Sequence, residues 1–239
     1  MRFPVLVMRL AGGIIMCVAL GLAACGTVTD ILQPNTLHIL MEVKDYHVGT
    51  TAVSIHFADA QLNTVEFVHG ETVTCNGVFL KYDISFTDRF INGGSYVGDV
   101  PLQPKDGAYT FTFTPAGGTE TKISAKVVDA PVTLKQPASG SIVALPPVTG
   151  GLDIAYGPSG LPNSSVIAVV SDSRSHLAVS GALSDTGSVH FNGDAFKQFA
   201  AGTGNVSITR TTDSKPDGTG FAAAEIWYEN IGVAPITWQ

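Results

Sequence analysis

Six consecutive residues, Tyr109-Thr110-Phe111-Thr112-Phe113-Thr114, alternate aromatic and threonine without a break. In a strand, successive side chains point to opposite faces, so this run puts its rings on one face and its hydroxyls on the other. A helix would scatter both sets around its circumference. Pro115-Ala116-Gly117-Gly118 supplies a turn, and the returning segment alternates again, with Ile123, Ala125 and Val127 opposite Lys122, Ser124 and Lys126. A hairpin with one apolar face must bury that face against a second layer of sheet.

The rest of the chain has the same texture of short apolar runs separated by Gly, Pro, Asn and Asp, which predicts an all-β fold. Strand candidates in the first half are 37–43, 51–57, 64–68, 72–75, 78–84, 95–100, 108–114 and 119–128. A boundary falls near Asp129-Ala130-Pro131, and 131–140 reads as the opening strand and turn of a fresh unit. The second half offers 141–145, 152–156, 166–171, 176–181, 188–191, 205–211, 221–229 and 233–238, with one helical turn at 194–199. The expected organisation is two consecutive β-sandwich domains, 36–130 and 131–239, each of ordinary sandwich size. A single larger β-domain is the rival reading. Charged residues are only 14% of the chain against 45% hydrophobic, which excludes a solvated disordered polymer.

Leu102-Gln103-Pro104-Lys105-Asp106-Gly107-Ala108-Tyr109 resembles the E–F corner of immunoglobulin-like domains, and Gly70-Glu71-Thr72-Val73-Thr74-Cys75 resembles their B strand. The resemblance covers about 90 residues and implies an immunoglobulin-like sandwich. It assigns Tyr109 a hydroxyl bonded back to the backbone, with Phe111 standing where the second core cysteine would be. The second cysteine and a core Trp are both missing from this region. The tandem all-β organisation is also similar to uncharacterised bacterial secreted proteins, a likeness that carries no activity with it.

The N-terminus reads MRFPVLVMRLAGGIIMCVALGLAAC. Arg2 and Arg9 precede an uncharged stretch of 13 residues, Leu10 to Leu22. That is short for a membrane span, which needs roughly 20 apolar residues, but it suits the core of a secretion signal. It ends in Leu22-Ala23-Ala24-Cys25, which resembles the lipobox of bacterial lipoproteins. The resemblance implies cleavage between Ala24 and Cys25, with diacylglyceryl on the Cys25 thiol and usually an acyl group on the new amino terminus. Residues 1–24 would then be signal peptide and 25–35 a lipidated tether. Gly26 follows the cysteine rather than the Asp that many diderm bacteria read as inner-membrane retention, so the family rule points to the outer membrane. Met8-Arg9 would open a compact signal of this kind by itself, which makes Met8 a second candidate start. An ordinary signal peptide leaving Cys25 as a plain thiol, or an uncleaved anchor, are the alternatives.

With Arg2 and Arg9 removed, 11 basic residues face 20 acidic ones, a formal charge of −9. No basic cluster follows residue 30, so a nucleic-acid partner is not expected. Cys17 leaves with the signal and Cys25 is modified, so Cys75 stands alone and no intramolecular disulfide can form. Its alternation with Val73 predicts burial.

Catalytic signatures are missing. There is no G-x-S-x-G elbow, and a P-loop or dinucleotide turn would need a helix to open. His38, His47, His56 and His69 lie in one half without H-x-H or H-E-x-x-H spacing, and no metal site or cofactor is assigned. Asp213 to Gly220 is the nearest calcium-loop candidate, but it lacks dense Asp alternation and contains Lys215. Trp227, Tyr228 and Trp238 form the one plausible ligand-stacking set. Trp227 and Tyr228 are adjacent, so in a strand one faces the core and the other the surface.

The expectation for function is a membrane-anchored bacterial envelope lipoprotein, held by acyl chains on Cys25, acting as a non-enzymatic binding, adhesion or scaffolding module. A glycan-binding or carbohydrate-active surface protein is the alternative, and a periplasmic metal-binding protein a third. A protein or glycan ligand is left unidentified at this level.

Overall fold

The computed structural model describes residues 33–46, 49–84, 94–104, 106–128, 130–214, 216–218 and 220–239. The signal peptide, Ala24, Cys25, His47 and all of the tether before Gln33 lie outside the described residues. The fold is all-β and sandwich-like. Its first half contains β1 (His38–Asp45), β2 (Thr50–Ala58), β3 (Thr72–Cys75), β4 (Val78–Phe79), β5 (Lys81–Asp83), β6 (Ser95–Pro101), β7 (Ala108–Thr114) and β8 (Thr121–Lys126). Its second half contains β9 (Thr133–Gln136), β10 (Ile142–Val143), β11 (Gly151–Gly157), β12 (Ser164–Asp172), β13 (Leu177–Val179), β14 (Leu183–Ser184), β15 (Ser188–Asn192), β16 (Gly202–Ser214) and β17 (Ala223–Trp238). A 3₁₀ turn, Gly193–Phe196, sits where a helical turn is expected, and another, Pro34–Thr36, precedes β1.

One large sheet runs β13-β12-β16-β17-β1-β2-β6-β5, with β14 added on β12 and β10 on β17. Two smaller sheets, β4-β3-β7-β8 and β15-β11-β9, accompany it among the described residues. The alternation on β17 shows how they are arranged. Ile226, Tyr228, Asn230, Gly232, Ala234, Ile236 and Trp238 are all buried while most of their neighbours are not. By the two-residue period these share one face, so both small sheets cover the same side of the large one.

Two apolar cores result. The first joins Met41, Val43, Ile55, Phe57, Cys75, Tyr109, Phe111, Phe113 and Ile123 to Ile226 and Tyr228 of the last strand. The second gathers Ile154, Tyr156, Val170, Phe191, Phe196, Phe199, Ile208, Ile236 and Trp238. The aromatic–threonine hairpin is present as β7 and β8, paired Phe111 to Ile123 and Tyr109 to Ala125, with its rings inside.

Two findings differ from the sequence expectation. The segments 221–229 and 233–238 are one strand of 16 residues, paired in parallel with β1 from Ala223 to Asn230 and antiparallel with β16 throughout Ile226 to Trp238. Gly232, which looks like a break, is required in the strand because the Val132 carbonyl crosses it; a Cβ there would lie 2.3 Å from that oxygen. The second concerns β3 and β7. The immunoglobulin pattern sets the B and F strands in facing sheets, whereas here they are neighbours in one sheet with Cys75 opposite Phe111. The tyrosine corner itself is made: the Gln103 amide donates to the Tyr109 hydroxyl at 3.2 Å, and Thr51 Oγ1 lies 2.7 Å from the same oxygen.

Between the cores the inner face of the large sheet turns polar. Asp45, Thr51, Arg210 and Asn230 are buried there, and the Tyr228 hydroxyl donates to Asp45 Oδ2 at 3.2 Å. Arg210 is wholly buried and closes the second core. Its Nε donates to Asp185 Oδ2 at 2.9 Å, Nη1 to the Ala130 carbonyl at 3.0 Å, and Nη2 to the Pro158 carbonyl. The guanidinium thereby ties the chain crossing between the halves to β16.

Candidate functional site

The three aromatics expected to stack a ligand do not meet. Tyr228 lies in the first core and Trp238 in the second, where its indole N–H donates to the Ser171 carbonyl at 3.0 Å. Trp227 points to the other face of the large sheet and is half-buried. The adjacent pair therefore divides between faces as strand geometry demands.

Trp227 occupies an unusual position on that outer face. Its neighbours two residues away along the strand are Glu225 and Glu229, and its cross-strand partners are Glu42 and Asp213. One indole is thus ringed by four carboxylates. Glu42 and Glu229 are almost fully buried, and Lys44 Nζ lies 2.9 Å from Glu42 Oε2. Thr211 donates to Glu229 at 3.3 Å. Partial burial raises the Asp213 carboxyl above its ordinary range. Beside this ring, Glu42, Lys44, Ser54, Val97 and Asp99 line a shallow groove of about 220 Å³.

A second groove, of about 300 Å³, lies at the Trp238 end of the large sheet. His176, Leu177, Asp194, Lys197, Gln198 and Phe199 line it. Its frame is the turn between β12 and β13. The buried Asp172 carboxylate accepts the Arg174 and His176 backbone amides, the Ala200 amide, and His176 Nδ1, all at 2.9 Å. Burial alone would raise the Asp172 carboxyl, but these donors, the imidazole first, hold it well below the usual range. With Nδ1 bonded to Asp172, the imidazole is fixed in orientation and Nε2 is its remaining polar atom. The ring stacks on Phe199 at 6.3 Å between centroids, and Lys197 pairs with Asp194 at 2.8 Å. The arrangement offers a fixed imidazole, a carboxylate–ammonium pair and a carboxamide on an apolar floor. It can hold a small polar molecule; no serine, cysteine or threonine of the groove stands ready as a nucleophile.

Sequence reasoning passed over this groove. Its signal was Asp172-Ser173-Arg174-Ser175-His176, an Asp able to cap its own turn four residues before a His. Of the first-half histidines, His56 is buried with Nδ1 3.0 Å from the Gly94 carbonyl. Burial lowers its pKa against that bond. Among the described residues no group of three or more His, Cys, Asp or Glu is placed to hold a metal ion. The candidate calcium loop is engaged elsewhere, since Asp217 exchanges backbone bonds with Ser124 at 2.8 and 3.0 Å and its carboxylate meets Lys126 at 3.2 Å. Cys75 is buried as expected, and burial pushes its thiol up to about 12. No helix among the described residues is long and apolar enough to cross a membrane. No protein-family model matches the chain, and no curated protein matches it.

Proposed function

We propose that the chain is a lipid-anchored protein of the bacterial cell envelope that works without catalysis, as a rigid binding or scaffolding module. Acyl chains on Cys25 hold it to the membrane, the outer membrane in a diderm cell. Two sandwich modules, 36–130 and 131–239, follow the tether, the Tyr109 corner being their immunoglobulin-like trait. The observation that carries this reading is β17, which runs through both cores as one strand. At about 3.3 Å per residue its ends lie roughly 50 Å apart. The chain enters β1 beside Ala223, and the His176 groove lies at the Trp238 end. A tether at one end therefore presents the groove at the other, without a hinge between the modules.

Glycan binding is the second reading. The His176 groove pairs an acceptor, Asp194, with a donor, Lys197, which neighbouring sugar hydroxyls can bridge because each both donates and accepts. Trp227 with its carboxylates adds an aromatic surface of the kind that stacks pyranoses. The metal-binding reading has only the Asp172–His176 pair behind it.

Fatty-acid labelling in the producing cell tests the anchor: Cys25→Ala abolishes incorporation, and persistent label on that variant refutes the lipoprotein reading. A glycan array with the purified protein and its His176→Ala and Trp227→Ala variants separates the other two. Binding lost in either variant supports the glycan reading; an empty array removes it.

A further inference from the structure

Large aliphatic side chains stand exposed at the end of the first sandwich where the chain enters β1. Leu62, Val68 and Ile84 are 65%, 53% and 74% exposed. The pairing register puts them at one edge. Ala58, the last residue of β2, lies opposite His38, the first of β1, and the loop 59–71 leaves from there. Asp83, the last residue of β5, lies opposite Ser95, the first of β6, so Ile84 emerges on the same side. Strands β2, β6 and β5 are neighbours, which places the Leu62 and Ile84 loops about 10 Å apart across the sheet.

Leu62 is held out by construction. Asp59 accepts the Gln61 and Asn63 amides and the Asn63 side chain, each at 2.9 Å, and the Leu62 amide donates to the Asp59 carbonyl at 2.9 Å. The turn sets Leu62 at φ +65°, a backbone state that suits Gly, Asn or Asp and is uncommon for leucine. Local structure therefore gives no reason for a leucine there, and no core receives it. Val68 follows Phe67, whose ring packs 4.6 Å from Phe113 and 4.8 Å from Phe57, so it too is presented from a rigid base.

What faces this edge follows from the tether. Seven residues lie between Cys25 and Gln33, and the eight chain steps reach at most about 28 Å. We infer that this edge rests on the lipid surface, with Leu62, Val68 and Ile84 entering the interfacial layer of the bilayer; the inference rests on the lipid-anchor reading above. The contact is apolar. Asp59, Glu66, Glu71 and Asp83 flank the three aliphatics, so anionic headgroups are not what holds it. Together, anchor and edge stand the molecule upright with the His176 groove outermost.

The test uses full-length acylated protein reconstituted in phosphatidylcholine vesicles, with and without phosphatidylglycerol. Single nitroxide labels are placed at Leu62→Cys, Val68→Cys and Ile84→Cys, with Leu177→Cys at the far end as the control. The expected result is a several-fold higher ratio of oxygen to water-soluble nickel-chelate collisions at the three edge labels than at position 177, unchanged by phosphatidylglycerol. Equal ratios at all four sites on acylated protein overturn this inference and leave the anchor standing. A Cys25 without acyl mass overturns both. Should the Leu62→Cys variant misfold, the labels at 68 and 84 decide the matter alone.

Discussion

Replacing Arg210 by methionine tests the physical account of the second core most severely. The guanidinium has no solvent exposure, and Asp185, its partner, has a side chain only 1% exposed. Arg210→Met keeps the length and apolar stem but leaves the Asp185 carboxylate and the Ala130 and Pro158 carbonyls without their donor. Removing one partner of a buried pair costs about 3–5 kcal/mol, because the remaining charge stays desolvated. At roughly 2–4 °C per kcal/mol for a body of this size, the melting temperature falls by about 6–20 °C. Asp185→Asn in the same chain removes the stranded charge while keeping a carbonyl for the Ser164 hydroxyl, which donates to Asp185 at 3.1 Å. The double variant therefore recovers much of the loss.

The pH dependence supplies an independent sign. Burial raises the Asp185 carboxyl, but its bonds, Arg210 first, hold it below the ordinary range. A carboxyl depressed in the folded state contributes stability above its unfolded pKa of about 4, lost as pH falls through the folded value. In Arg210→Met the largest interaction opposing burial is gone and the bonds from Tyr156 and Ser164 remain, so the folded pKa rises from its depressed position. The share of stability that the Asp185 carboxylate contributes above its unfolded pKa shrinks, so the variant loses less than the parent on going from about pH 7 down through the parent's folded value. Urea denaturation at both ends of that range measures this. A loss below about 1 kcal/mol in Arg210→Met, or a loss on acidification at least as large as the parent's, refutes the reasoning.

Other perturbations read other joints. Gly232→Ala puts a methyl against the Val132 carbonyl and should cost about 1–3 kcal/mol of denaturation free energy, a price Ala234→Gly on the same face would not share by the same mechanism. Tyr109→Phe removes the acceptor for Gln103 and the partner of Thr51, costing about 1–3 kcal/mol, with the melting curve as readout. Cys75 should stay unmodified by a maleimide at mildly alkaline pH until denaturant is added; fast reaction of the native protein contradicts the buried position and its raised pKa.

What was legible in the sequence was whatever a two-residue period can carry. The face of Tyr109, Phe111 and Phe113, the burial of Cys75, and the opposition of Trp227 and Tyr228 all follow from alternation within one strand. Pairing between distant strands leaves no such trace. Nothing near Ala223 announces that it will lie beside His38, and Gly232 looks like a stop until the Val132 carbonyl, a hundred residues earlier, is placed over it. Charge misleads in the same way. Arg210 and Asp185 are each costly to bury alone, and only the fold brings them within 2.9 Å. The consequence reaches function. A division at residue 130, drawn from local composition, suggests two consecutive sandwiches. Long-range pairing adds a continuous strand and a buried arginine across that division, which tie the two halves together. The far end of β17 is thereby fixed, and that is why the groove around His176, marked in the sequence only by the short Asp172–His176 run, becomes the place to look for a ligand.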